Sequence, residues 1–366
     1  MVPLVPNPES SDEPARQPRP AKAGGISLLQ SLFTSAELSF LKAVRRKDRR
    51  HPWRRLFFPN EEDTAFIDNT SQALGLIFER DKGWIERKKR QLRSVESFEA
   101  ASSLLGEIRA YGSLLSVGLE TRSGKVGSKS EPDFLVENHV FVEVHTKQSE
   151  PNEACALDRF NQGSKLTTSD STGIHANSPF GAPNRDDSVT RIAIQKLAQI
   201  KQKEEEVKNQ FSALNPSILW LDFQDETWNG IIDASFAKPL TVWNEEYYSG
   251  PLWYAFYGWT GAPVFQGETK LQRPRRTVTR MEHDGRFRRG TKIDAVVASL
   301  PRDTIILENP SSQQPIQSWI GDKLGSLPNF NSDYSFVDWP NGNLSARVAS
   351  QKASLEALAV EAIFGW

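Results

Sequence analysis

Cysteine is nearly absent: Cys155 is the sole one in 366 residues. An internal disulfide is therefore excluded, and a cysteine-based metal site has no partners to draw on. A reducing, cytoplasmic setting fits. Histidine is scarce as well, and the five present (His51, His139, His145, His175 and His283) show no His-x-x-x-His or similar zinc spacing. No apolar run approaches the roughly 20 residues that a bilayer crossing needs, so no membrane partner is expected. Net charge is close to missing too, at −1, so the chain as a whole is not a polycation. The stretch Met1 to Gly25 is rich in Pro, Glu, Asp and Arg and lacks the apolar middle of a signal peptide. It reads as a disordered tail.

What is present is the composition of a globular protein with a sizeable core, 38% hydrophobic and 25% charged. The charge is unevenly placed. Lys42 to Arg55 carries eight basic residues against Asp48, and Lys82 to Arg93 is a smaller cluster. Lys270 to Lys292 carries nine against Glu282 and Asp284, among them Arg273, Arg275, Arg276, Arg286, Arg288 and Arg289. Local positive strips on a near-neutral protein suit contacts with phosphate; solvated faces are the plain alternative. Gly285 to Gly290 mixes Arg with Phe287, which suits stacking on nucleic acid but is read first as an exposed loop. Of the ten tryptophans, Trp243, Trp253 and Trp259 fall in the most aromatic stretch, Thr241 to Trp259. Core packing or a partner interface accounts for that stretch better than base stacking does.

The pattern along the chain predicts helices first. Residues 26–95 form a helical N-terminal region: Ser35 precedes Glu37 and an apolar run that ends near His51-Pro52, and a second helix runs from Glu61 through Ile77. A long helix follows over Ser97 to Gly118, with Ala101, Leu104, Leu105, Ile108, Tyr111 and Leu115 on one stripe and Glu107 at its margin. Then come a loop with a short strand, a hairpin over Glu131 to Lys147, and about forty residues of polar loop, Gln148 to Asp187, read as mobile. Ser188 to Phe211 reads as a helix, Ser217 to Phe223, Ile293 to Ser299 and Thr304 to Glu308 as strands, and Leu355 to Phe364 as a closing helix. Strands interleaved with helices predict an α/β domain over 96–366 with a mixed sheet.

The hairpin carries the chemistry. With a three-residue loop centred on Asn138, residues whose numbers sum to 276 oppose each other, and Asp133 then faces Glu143. Opposed residues hold their Cβ atoms about 5 Å apart, close enough for two carboxylates to share one cation. In this register the other face holds Phe134, Val136, Val140, Val142 and Val144, all apolar, while the site face reads Asp133, Leu135, Phe141, Glu143, His145 and Lys147. A slip of one residue would ruin that division. Oxygen ligands from Asp133 and Glu143, with Glu107 as a third, suit Mg²⁺ or Mn²⁺.

A Glu-bearing helix, a strand with Pro132-Asp133, a strand with Glu143 and a following helix resemble, in that order, the core of PD-(D/E)XK nucleases. The resemblance covers roughly Ser97 to Phe223. It implies a restriction-endonuclease-like mixed sheet flanked by helices, with the helical N-terminal region as an extension. It also implies metal binding by Asp133 and Glu143 with Glu107 as the helix acid, and a substrate-bordering helix carrying Gln195, Lys196 and Gln199. The expected activity is metal-dependent cleavage of phosphodiesters in DNA, in restriction or defence. One departure stands out: the family's lysine two residues after the acid is His145 here. His145 replaces it, Lys147 reaches back, Lys196 enters from the helix, or the site is inactive. The alternatives are a degenerate module of the same fold that binds nucleic acid, a protein or a second copy of the chain, and a nuclease acting on RNA.

Overall fold

The computed structural model describes residues 24–44, 50–124, 131–146, 211, 214–226, 237, 241–243, 246–248, 251–265, 278–281, 284–288, 290–338 and 343–364. Six helices precede the main sheet: α1 (Gly24–Gln30), α2 (Ser35–Ala43), α3 (Pro52–Phe57), α4 (Thr64–Arg80), α5 (Lys82–Leu92) and α6 (Phe98–Ser116). Their starts follow local chemistry. Thr34, rather than Ser35, caps α2: its hydroxyl accepts from Glu37 N–H while the Glu37 carboxylate accepts from Thr34 N–H. That helix stops at Ala43, well short of His51-Pro52, because Val44 turns extended; His51 instead caps α3, with Pro52 at its first position. Ser97 caps α6, and Gly118 leaves the region at φ +71°, where a glycine costs nothing.

The main sheet has six strands in the order β1 (Thr121–Ser123), β2 (Phe134–Val136), β3 (Val140–Thr146), β4 (Ser217–Asp222), β9 (Ala295–Ser299) and β10 (Thr304–Glu308). β3, β4 and β9 are parallel, and the outer pairs are antiparallel. It is thus the expected mixed α/β sheet. Two small hairpins, β5 (Thr241–Trp243) with β6 (Glu246–Tyr248) and β7 (Pro263–Phe265) with β8 (Val278–Arg280), lie between β4 and β9 in the chain. Among the described residues three more helices complete the list: α7 (Pro251–Tyr257), α8 (Ser318–Leu324) and α9 (Leu344–Phe364). α9 begins eleven residues before Leu355, the predicted start.

The sheet is buried on both faces, which is why its central strands read as unbroken apolar runs rather than alternating ones. Phe134, Val142, Ile218, Trp220, Val297 and Ile306 pack with α1 to α6 and α8. Leu219, Leu221, Val296 and Ala298 pack on the opposite side with Trp253, Tyr254 and Phe256 of α7 and Val348 and Leu355 of α9. Leu252 to Tyr257 of the aromatic stretch therefore serve the core, as expected. Gly285 to Gly290 departs from expectation: Gly285, Arg286 and Phe287 are buried, the last two in a 3₁₀ turn with Phe287 against Phe256 and Tyr257, while Arg288 and Gly290 are exposed. Gly24 and Gly25, expected in the tail, open α1, and Gly25 is buried; the rest of the tail, the loop 148–187 and all of the helix expected over 188–211 except Phe211 lie outside the described residues. Among the described residues no helix is long and apolar enough to cross a membrane.

Candidate active site at the carboxyl ends of the strands

The hairpin adopts the register its sequence dictates. Phe134 pairs with Val142, Leu135 with Phe141 and Val136 with Val140. The three-residue turn is made by Glu137 and Asn138 at φ 49° and 62°, followed by His139, whose N–H donates to Val136 O. The five residues of the apolar face are all buried, Val144 at 7% and the other four at 0% exposure. Extended by one residue, the register sets Asp133 opposite Glu143. There the ladder opens: the Asp133 carbonyl accepts from Gly124 N–H, and its carboxylate reaches across to accept the Val144 amide at 2.8 Å. Asp133 is thus fixed against the peptide that adjoins Glu143. Glu143 is buried at 5% exposure, an unusual place for a carboxylate. His145, two residues on, is half-buried on the same face of β3.

α6 brings Glu107 to this edge. The helix lies so close to the sheet that a Cβ on Gly106 would stand 2.0 Å from Thr146 Oγ1 and 3.0 Å from Asp222 Oδ2. Only glycine allows that approach. Glu107 comes from the face that carries Val142 and Val144, the side opposite to Glu143, and its carboxyl feels the charge of Asp133. Burial pushes its carboxyl up to about 7; Lys88 opposes the rise and the charge of Asp133 adds to it. Among the described residues no three His, Cys, Asp or Glu side chains converge into a metal-holding group. The opposed pair Asp133 and Glu143 is the candidate centre of a site on the hairpin geometry alone. Two hard carboxylates from adjoining strands still fit Mg²⁺ or Mn²⁺, since Mg²⁺ keeps several waters and takes one or two protein carboxylates.

Two features escaped the sequence reading. Lys88, one of several cations on α5, points inward, its Nζ 2.7 Å from Glu107 Oε2 with both side chains nearly buried. Only its helical phase, on the side of Trp84, Ile85 and Leu92, hints at this. The second is a polar network across the carboxyl ends of β3 and β4. Asp222, wholly buried, accepts from the Arg109 guanidinium at 2.5 and 3.2 Å, Ser102 donates to Asp225, and Thr146 donates to Ser102 O. Within it Arg109 and Asp222 form a buried ion pair, which ties α6 to β4.

Of the expected site residues, Asp133, Glu143 and His145 thus lie on the β2–β3 hairpin or its approach, and Glu107 lies on α6, which packs on β3. Lys147, Gln195, Lys196, Arg273, Arg275, Arg276 and Arg289 lie outside the described residues. Arg286, expected on phosphate, is only 2% exposed and cannot serve as an open phosphate contact. Arg288 is exposed, its guanidinium 5.7 Å from the Trp259 ring and donating to Tyr257 O. Comparison of the chain with protein families, with curated proteins and with solved structures gives no match.

Proposed function

We propose that the protein is a Mg²⁺- or Mn²⁺-dependent nuclease of the PD-(D/E)XK type that hydrolyses phosphodiesters in DNA. The observation that carries this reading is the hairpin register, which sets Asp133 opposite a buried Glu143 in the middle of β3. In this reading Asp133 and Glu143 hold the ion, Asp133 being oriented by the Val144 amide. The ion, when bound, supplies positive charge for the phosphate and lowers the pKa of the attacking water. His145 takes the proton from that water, because it projects from the same face of β3 as Glu143. The outer face of α5, with Lys82, Arg87, Lys89 and Arg90 exposed beside the site, suits a phosphate backbone.

The test is incubation with plasmid DNA, single-stranded DNA and RNA in Mg²⁺, Mn²⁺ or EDTA. Metal-dependent cleavage of DNA is expected; cleavage of RNA alone would move the assignment to ribonucleic acid. A second reading, a degenerate module that binds nucleic acid or a protein partner without cutting, is favoured by His145 in the lysine's place. Binding that persists in EDTA, with no cleavage in either metal, would select it.

A further inference from the structure

α5 has two unlike faces. Trp84, Ile85, Lys88 and Leu92 are buried, and the Trp84 ring lies 6.3 Å from that of Phe134, the residue after Asp133. The other side is cationic: Lys82, Arg87, Lys89, Arg90 and Arg93 are exposed, with Glu86 the one acid among them. At about 100° per residue, Lys82, Lys89 and Arg93 fall within about 40° of one another, with Arg90 beside them, and form a ridge about 16 Å long. Helix stability does not ask for this ridge. Lys82 stands at the positive end of the helix dipole, where the Asp81 cap is the one nearby offset on the helix. Lys89 and Arg93 are like charges four residues apart, a spacing that destabilises a helix. The surroundings neutralise the ridge only in part. Arg87 reaches Asp81 and the Ser123 hydroxyl of β1, Arg93 reaches Glu37, and Lys89 stands 4.0 Å from Glu86. Among the described residues Lys82 and Arg90 have no ion pair.

We propose that the outer ridge of α5 is a docking surface for the phosphate backbone of duplex DNA. Each strand of a duplex carries a phosphate about every 3.4 Å along the axis, so a ridge of about 16 Å can face about five of them. Two rival occupants lack what they need. A helix that lies on a membrane pairs its cations with an apolar face free to enter the lipid, and here Trp84, Ile85 and Leu92 are buried in the core. Single strands are held by stacking their bases on aromatic side chains, and the exposed positions of α5 carry none. Contact with the backbone alone makes the docking indifferent to base sequence. The proposal shares its partner with the nuclease reading but needs neither the metal nor the acids, so binding in EDTA tests it apart from cleavage.

The measurement is fluorescence anisotropy of the full chain on a labelled duplex of about 20 base pairs in EDTA, from about 50 to 200 mM salt. Lys82→Gln, Lys89→Gln and Arg90→Gln together place good helix formers at exposed positions, so the fold is retained. Losing three phosphate contacts should lower the slope of log affinity against log salt by about 2.7 and weaken binding by about 30-fold or more. Lys82→Arg, Lys89→Arg and Arg90→Lys together keep the charge and should bind within about threefold of wild type. Arg302→Gln, Arg347→Gln and Lys352→Gln remove as much charge elsewhere and should leave the slope within about 0.5 of wild type. An unchanged slope in the α5 glutamine variant, or an equal fall in that control, overturns the proposal. Tighter binding of the wild type to a single strand than to the duplex overturns it as well. So does loss of binding to phosphatidylserine vesicles with duplex binding intact, which would give the ridge to a lipid surface. Duplex binding through the ridge with no cleavage in Mg²⁺ or Mn²⁺ would remove the nuclease reading and leave the docking surface standing.

Discussion

At the scale of single residues, the opposed acids make the sharpest demand. Two carboxylates held together without a cation repel, so the protein should lose activity on their neutralisation without losing stability. Asp133→Asn keeps an oxygen to accept the Val144 amide, and Glu143→Gln keeps the volume. Each should abolish metal-dependent cleavage while the unfolding midpoint stays level or rises. His145→Ala should cost about 100-fold if the imidazole takes the proton. Full cleavage by Asp133→Asn would sink the site assignment. A second acid, Asp294, has a purely structural part at the opposite end of the sheet, where it accepts from Ser217 N–H and from the Ser312 hydroxyl. Burial pushes its pKa from 3.8 up to about 6, against the pull of those bonds. The folded state therefore binds a proton more tightly than the unfolded chain. The stability it contributes is present below about pH 4 and fades as pH rises through about 6. Asn mimics the protonated form, so Asp294→Asn should gain about 1–3 kcal/mol on wild type between pH 4 and pH 7 in urea titrations. A pH-independent difference would show that the carboxylate is ionised throughout.

At the scale of elements, the hairpin was legible because a period of two leaves one register in which five apolar side chains share a face. The central strands were legible as strands through their β-branched runs, though Asp222 inside SILWLDF gave no sign of its partner, Arg109, 113 positions away. Lys88 was hidden for a related reason. A cation on a basic helix looks solvated until the packing of that helix on α6 and β2 is known, and packing is long-range information. The ends of α2 and α9 were misplaced because caps depend on one dihedral at Val44 or on where the preceding chain arrives, not on periodicity. Turn and crossing glycines are the elements' own constraint. Gly106→Ala puts a methyl group into Thr146 Oγ1 and should cost about 2–3 kcal/mol by overpacking. Thr146→Ala in the same chain removes the clashing atom and should restore part of that loss. Additive effects in the double-mutant cycle would mean that α6 and β3 do not meet as closely as described.

At the scale of the molecule, the question is whether the N-terminal helices are an appendage. Leu29, Trp53, Leu74 and Ile85 belong to one continuous core with Leu104, Phe134, Val142 and Trp220, so the helical region shares its interior with the sheet. A buried ionic knot fastens the two parts a second time. Asp63, fully buried, accepts both Arg50 terminal nitrogens at 2.8 and 2.9 Å and Arg55 Nε at 2.6 Å. Arg50 also donates to Glu226, and Arg55 to the Gln224 carbonyl, both in the segment that leaves β4. Burial works against the Asp63 charge, but the bonds from Arg50, Asn60 and Arg55 outweigh it and hold its pKa below the ordinary value. Removing Asp63 would leave two guanidiniums close together, one of them in the core against Phe66. Asp63→Ala should therefore cost about 3–5 kcal/mol, as for other broken buried pairs. Because the core is shared, that loss should lower the stability of the whole and not of the helices alone. Hydrogen exchange in rising urea checks this: amides of α4 and of β4 should lose protection at the same concentration, in wild type and in Asp63→Ala alike. If α4 opens first while β4 stays protected, the helical region is a separate folding unit. Lys88 would then be carried on a movable part, and the positive charge beside Glu107 would come and go with it.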